Sequence, residues 1–281
     1  MVIDAHHHFW RYTDEEYGWI PPDWSALRRD FLPEDLAREL AAAGVDGVVT
    51  VQARQSLAET DWLLDLAARH AFIRGVVGWV PLVAPDLEQH LDRLAAHPAA
   101  VAGKLRAFRH VLQGEPDDAY MLRDDFNRGI RALTRRGLVY DILIFERHLP
   151  NAVTFVDRHP DQAFVVDHIA KPRIATSELE PWAKNIRELA RRPHVACKLS
   201  GMVTEADVRT WTPEQLRPYF EVVLEAFGPD RLLFGSDWPV CLAGVGYADW
   251  KTTVASALSA LSATEHSAVF GGNARRIYGL A

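Results

Sequence analysis

Three consecutive histidines, His6, His7 and His8, end an apolar opening stretch, and a carboxylate, Asp237, ends another far down the chain. Alternate residues of an extended backbone point to the same side, so His6 and His8 face one way and His7 the other. Two imidazoles on one face can ligate a divalent metal through their ring nitrogens. Without a metal, they can donate hydrogen bonds to a carbonyl oxygen as it gains charge. Asp4 shares their face at a deeper level, where it would orient a neighbour. Asp237 can hold a water and take its proton as the water attacks a carbonyl. Pro239 restricts the residue before it, which stiffens the turn presenting Asp237. His168 follows a third apolar run, Phe164-Val165-Val166, and is expected to enter the site, with Asp167 facing away. Each has a structural alternative: a hydrogen-bonded pair shaping a rim for His6 and His8, a turn cap for Asp237.

Arg54, Arg106 and Arg109 are candidate binders of an anion or polyol, because guanidinium offers a planar fork of donors. Surface ion pairing is the alternative for each. Arg109-His110 is the more informative pair. Asp141 could orient an inward base, contact substrate hydroxyls or form a salt bridge. Lys198 and Ser200 share one face near the end of their strand. Cys197 reads as core. Cys241 has no histidine partner set by spacing. No GxSxG motif supports a serine hydrolase of the open-sheet type.

Short apolar runs must position these groups. Candidate strands are 2–8, 47–52, 73–80, 101–106, 139–144, 163–168, 195–200 and 232–237. Helical patterns lie between them, such as the run starting Pro33-Glu34-Asp35 and ending at Gly44, 60–70, 126–136, 149–159, and the helix opened by Thr212-Pro213-Glu214. Eight strands alternating with helices predict a (β/α)8 barrel, whose chemistry sits at the C-terminal ends of the strands. An open doubly wound sheet would want a glycine-rich loop after its first strand. Here that position holds His6-His7-His8-Phe9-Trp10. The aromatic loop from Phe9 to Trp24, with Tyr17 and Trp19, is a candidate lid or substrate wall, or packing across the barrel mouth.

The 281 residues, 48% hydrophobic and 25% charged, suit one barrel domain over 1–281. A formal charge of −7 argues against nucleic acid or an anionic membrane as partner. Two cysteines without a CxxC pair suit a reducing compartment. The chain start lacks a basic segment followed by an apolar run, and no eighteen-residue apolar stretch occurs. A cytoplasmic enzyme is expected, and a homo-oligomer is left open.

The motifs Asp4-Ala5-His6-His7-His8-Phe9-Trp10, Tyr17-Gly18-Trp19, Val51-Gln52-Ala53, Arg109-His110-Val111-Leu112-Gln113, Asp167-His168-Ile169-Ala170-Lys171-Pro172, Lys198-Leu199-Ser200-Gly201 and Phe234-Gly235-Ser236-Asp237-Trp238-Pro239 together resemble the amidohydrolase superfamily. They are most similar to the amidohydrolase-related branch and, within it, the sugar-lactone hydrolases that include L-fuconolactonase, L-rhamnonolactonase and 2-pyrone-4,6-dicarboxylate lactonase. The resemblance extends to Phe270-Gly271-Gly272-Asn273-Ala274-Arg275-Arg276. It implies a (β/α)8 barrel and hydrolysis of a cyclic ester. His6 and His8 match the family's first-strand histidines, His168 its sixth-strand histidine and Asp237 its eighth-strand aspartate. The superfamily's two-metal site also wants a histidine after the fifth strand, where this chain offers Asp141. That argues against a two-metal site, and the resemblance to the lactonase group, whose members look able to work without a required metal, implies that none is required here. If one divalent ion such as zinc binds, His6, His8, His168 and Asp237 would hold it.

The expected reaction is hydrolysis of an L-fuconolactone-like aldonolactone by a water that Asp237 deprotonates, with His6, His8, His168 and Arg109 stabilising the oxyanion. Gln52, Arg54, Arg106, Arg109, His110, Asp141, Trp19 and Trp238 are the candidate substrate-binding residues. The alternatives are a metal-dependent decarboxylase of the same branch and a non-catalytic sugar-acid binding protein.

Overall fold

The computed structural model describes residues 1–281. Eight parallel strands follow one another around the sheet in chain order. They are β1 (Ile3–His7), β2 (Gly47–Val51), β3 (Ile73–Gly78), β4 (Leu105–His110), β5 (Val139–Ile142), β6 (Phe164–Val166), β7 (Val195–Leu199) and β8 (Leu232–Phe234). The ring closes where His8 N–H donates to the Trp238 carbonyl (2.7 Å) and Asp237 N–H to the His6 carbonyl (2.8 Å). The expected (β/α)8 barrel is what the chain forms. Its strands are apolar on both faces because the inner face fills the barrel and the outer face meets helices.

Inside, Ile3, Ala5, Val49, Val51, Val77, Ala107, Val165 and Leu233 fill the lower barrel, and Tyr278 and Leu280 of the C-terminal segment close it below. The outer faces join the helices in a larger core. Helices start where capping residues stand: Ser56 Oγ accepts from Glu59 N–H before the helix Leu57–Arg69, and Thr212 Oγ1 from Gln215 N–H before Pro213–Phe227. With the lower barrel packed by these side chains, the groups that reach solvent gather at the upper strand ends.

The fourth strand begins four residues later than its apolar pattern suggests. Pro98 opens a short helix, Pro98–Val101, whose first turn is capped by the His97 ring, and this takes Val101 out of the sheet to 76% exposure. Arg106, Arg109 and His110 therefore lie within β4 rather than after it. No helix is long and apolar enough to cross a membrane.

Candidate active site

β1 and β8 deliver the first half of the site. Asp4 is fully buried and ties these strands together. It accepts from Ser236 N–H (2.9 Å), Ser236 Oγ–H (2.6 Å), His6 N–H (3.0 Å) and Tyr247 O–H (3.0 Å). Burial pushes its carboxyl up to about 6, against those four hydrogen bonds. Close approach is needed here: a Cβ on Gly235 would lie 2.8 Å from the His6 Cβ. The chain then turns at Asp237, whose φ is 58°, and aims its carboxylate at the two rings. Asp237 Oδ1 is 3.4 Å from His8 Nε2 and 3.6 Å from His6 Nε2, and those two nitrogens are 3.2 Å apart. His8 Nδ1 lies 2.8 Å from the Val51 carbonyl, so it carries a hydrogen, and Nε2 is the nitrogen turned toward Asp237 and His6. His7 points outward to Thr50 Oγ1 (2.8 Å), as strand alternation requires.

β4, β6 and β7 deliver the other half. Arg109 reaches inward and every nitrogen of its guanidinium is engaged. Nε and Nη2 donate to Gln52 Oε1 (3.2 and 2.7 Å), Nη2 also donates to the Gln52 carbonyl, and Nη1 donates to Asp167 Oδ2 (2.8 Å) and lies 3.4 Å from His6 Nε2. Lys198 Nζ sits between Asp141 (2.5 Å), Asp167 (2.9 Å) and His6 Nδ1 (3.2 Å). Tyr278 O–H donates to both oxygens of Asp141 (2.8 and 2.9 Å). His168 Nδ1 lies 2.9 Å from Ser200 Oγ, and its ring centroid is 4.4 Å from that of His6. Gly201 makes room for it: φ is +64° and a Cβ there would fall 2.4 Å from His168 Nδ1.

Burial sets the charge states. It pushes the His6 ring well below its ordinary range, although Asp167 opposes this, and brings His168 down to about 4 against the pull of Asp237 and Asp167. Both rings are neutral at pH 7. Burial pushes the Asp237 carboxyl up, but the His168, His8 and His6 rings outweigh it and hold it below the usual carboxylate range. Asp237 is thus ionised at pH 7, and a proton taken up by His6 or His168 would only strengthen that.

These groups form the floor of a cavity of about 650 Å3. His8, His168, Asp237 and Arg109 reach it, as do Arg54 and the half-exposed Trp19, while Phe145 forms part of its wall. Phe9, Trp10 and Tyr17 are buried, so the aromatic loop is packing at its root and wall at Trp19 and Trp24. Arg54 is paired with Glu16 of that loop.

Several expected contacts lie elsewhere. Arg106 turns toward Gly103 and Gly279 at the lower end of the barrel. His110 alternates outward from Arg109, meeting Glu115 (2.7 Å) and stacking on Tyr120. Trp238 packs between Phe9 and Phe31 outside the barrel. Asp141 lies beneath the cavity with Lys198, and Gln52 stands behind Arg109. Asp167 faces inward, not away. It continues the inward parity of Val165, and left-handed backbone from His168 to Lys171 swings His168 in beside it. That run has no glycine, so nothing in its composition signals it. The sequence reading assigned no role to Lys171 or Glu205, both of which line the cavity.

Two overlapping sets could hold a cation: His6, His8 and Asp237, and His6, Asp167 and His168, each with ligand atoms within 4.8 Å of one another. The first set fits a divalent metal. His8 Nε2 and an Asp237 carboxylate oxygen converge on His6 Nε2, a set of two imidazole nitrogens and one carboxylate that suits a divalent cation.

A sequence model of the family described as amidohydrolase matches residues 3–280. An L-fucono-1,5-lactonase of Burkholderia multivorans is 44% identical, covering 100% of this chain and 96% of its own length. A second L-fucono-1,5-lactonase, of Burkholderia ambifaria, is 38% identical over 98% of this chain and 94% of its own. The crystal structure of a Burkholderia multivorans amidohydrolase with bound zinc superposes with a TM-score of 0.95 at 42% identity, covering both chains completely. With the barrel, the histidine pair of β1 and the aspartate after β8 all in place, this chain belongs to the amidohydrolase family.

Proposed function

We propose that the chain hydrolyses a sugar lactone of the L-fucono-1,5-lactone class to its aldonic acid, within this one barrel. One observation carries the chemistry: Asp237 is an ionised carboxylate on the cavity floor with no cationic side chain paired to it. It accepts a hydrogen bond from water and takes the proton as the water's oxygen bonds to the lactone carbonyl carbon. His8 and His168 line the same space with His6 directly beneath them, and the ring edge of His168 not engaged by Ser200 supplies an N–H to the carbonyl oxygen as it becomes an oxyanion. When the carbonyl reforms, the ring C–O bond breaks and the alkoxide takes the proton that Asp237 had accepted, which regenerates the carboxylate. Arg109 acts through others: its donors are spent on Gln52, Asp167 and His6, so it holds the floor in register.

Trp19 and Arg54 contribute to the substrate wall. A divalent metal bound by His6, His8 and Asp237, with His168 adjoining, would act as a Lewis acid that lowers the pKa of a bound water. We infer that it is not obligatory, because an alkoxide leaves an ester more readily than an amine leaves an amide. The two buried free thiols, Cys197 and Cys241, suit the cytoplasm.

The test is proton release from a panel of aldonolactones, run on chelator-treated protein whose metal content is measured. Turnover of L-fucono-1,5-lactone by metal-free protein is expected. Turnover that returns only with zinc would overturn the metal-independent course. No turnover under either condition would remove the lactonase reading.

A further inference from the structure

Three cationic side chains line the cavity: Arg54, Arg109 and Lys171. Arg54 is neutralised by Glu16, and the Arg109 donors are fully taken. Lys171 differs. Its ammonium has one polar partner, Glu205 Oε1 at 3.5 Å, which is long for a hydrogen bond, and it hangs 5.5 Å above the Phe145 ring. Glu205 makes no other close polar contact through its side chain, and both side chains are more than four-fifths buried. The left-handed backbone at His168 and Lys171 brings both side chains to the same wall of the cavity, three residues apart. Gln113 adds an amide oxygen that is buried, lines the cavity and has no partner. A loosely joined ammonium and carboxylate over an aromatic face offer donors and acceptors to neighbouring hydroxyl groups, while Phe145 packs against C–H faces.

We propose that Lys171 and Glu205 are the specificity pair of this site, the ammonium donating to one hydroxyl of the lactone ring and the carboxylate accepting from its neighbour. Vicinal hydroxyls then separate the substrate class from plain cyclic esters. The inference rests on the lactonase reading and extends it to the part of the ring that does not react. A charged partner left without its hydroxyl is poorly satisfied in a largely buried wall, so the unhydroxylated lactone binds less well.

The experiment compares kcat/KM for L-fucono-1,5-lactone and for δ-valerolactone, which lacks hydroxyls, in the wild type, Lys171→Met and Glu205→Gln. Tm and circular dichroism are measured on the same samples. The wild type is expected to favour the sugar lactone. Each variant should lose about 10- to 100-fold of that preference, the scale of one hydrogen bond to a charged group, mainly through KM. If both lactones lose equally, or if the preference survives in both variants, the pair is structural and the proposal fails. Two variants are used so that one that does not fold still leaves the other to decide. Failure of the lactonase reading looks different: the wild type turns over neither lactone, and the pair's role falls with it.

Discussion

Asp237 and Asp167 stand on either side of the His6 ring and are held in opposite ways. Asp167 is fully enclosed, hydrogen-bonded to Arg109 (2.8 Å), ion-paired with Lys198 (2.9 Å) and 3.3 Å from His6 Nδ1. Burial alone would raise its pKa, but Lys198, His6 and Arg109 hold it well below the ordinary range. Asp237 meets only imidazoles and opens on the cavity. One carboxylate neutralises the floor, and the other is free to meet a water. The same residue type beside the same ring serves structure in one place and chemistry in the other, and neighbouring cations make the difference.

Replacing each carboxylate by its amide should separate the two roles. Asp237→Asn is expected to lower kcat by about 1,000-fold, the scale of a lost general base, with little change in Tm. Rates near wild type on L-fucono-1,5-lactone would end its role as base. Asp167→Asn should act first on stability. It leaves Arg109 and Lys198 partly uncompensated in a dry interior, which costs about 3 kcal/mol or more. Denaturant unfolding measures that loss. An equal stability loss in both variants would erase the contrast.

The parts of this arrangement that were legible in the chain share a cause. At β1 and β8 the apolar runs lead straight into the reactive residues, so parity places His6 and His8 and the strand end places Asp237, whose left-handed turn aims it inward. β4 misled because Val101 to Arg106 alternates like a strand, yet Pro98 starts a helix just before it. Asp167 misled because strand parity was broken at the wrong residue, the left-handed turn beginning at His168 rather than before it. The Lys171–Glu205 and Asp141–Tyr278 pairs join residues 34 and 137 positions apart, and no local period announces such contacts.

The contrast also requires that the rings stay uncharged. A cationic His6 would make both carboxylates ion-paired and alike. Because burial depresses the pKa values of His6 and His168, the unfolded chain binds protons more readily below its own value of about 6.5. Their contribution to stability is therefore present above that pH and is lost as pH falls below it, for His168 down to about 4. At pH 5.5 the loss is about 1 kcal/mol for each ring. Asp141, whose carboxyl burial pushes up to about 6, returns part of it, because its protonation favours the folded form. Ring nitrogen NMR shifts at pH 5.5 should still report neutral His6 and His168. Protonated rings at that pH would remove the distinction between the two carboxylates.

The smallest effect should come from the lower barrel. Tyr278 does not line the active-site cavity, yet its hydroxyl donates to both oxygens of Asp141, which holds Lys198, which in turn faces Asp167 and His6. Tyr278→Phe keeps the ring and removes those hydrogen bonds, at a cost of about 1 kcal/mol, or about 2 °C in Tm for a chain of this size. If the enclosed half of the site is passive ballast, only Tm moves. If it sets the angle of His6, kcat falls severalfold at constant KM as well, and adding Asp167→Asn to Tyr278→Phe lowers stability by less than the two separate losses combined, because both changes act through Lys198. Strict additivity would mean that Lys198 does not couple the chain's C-terminal segment to the His6 ring.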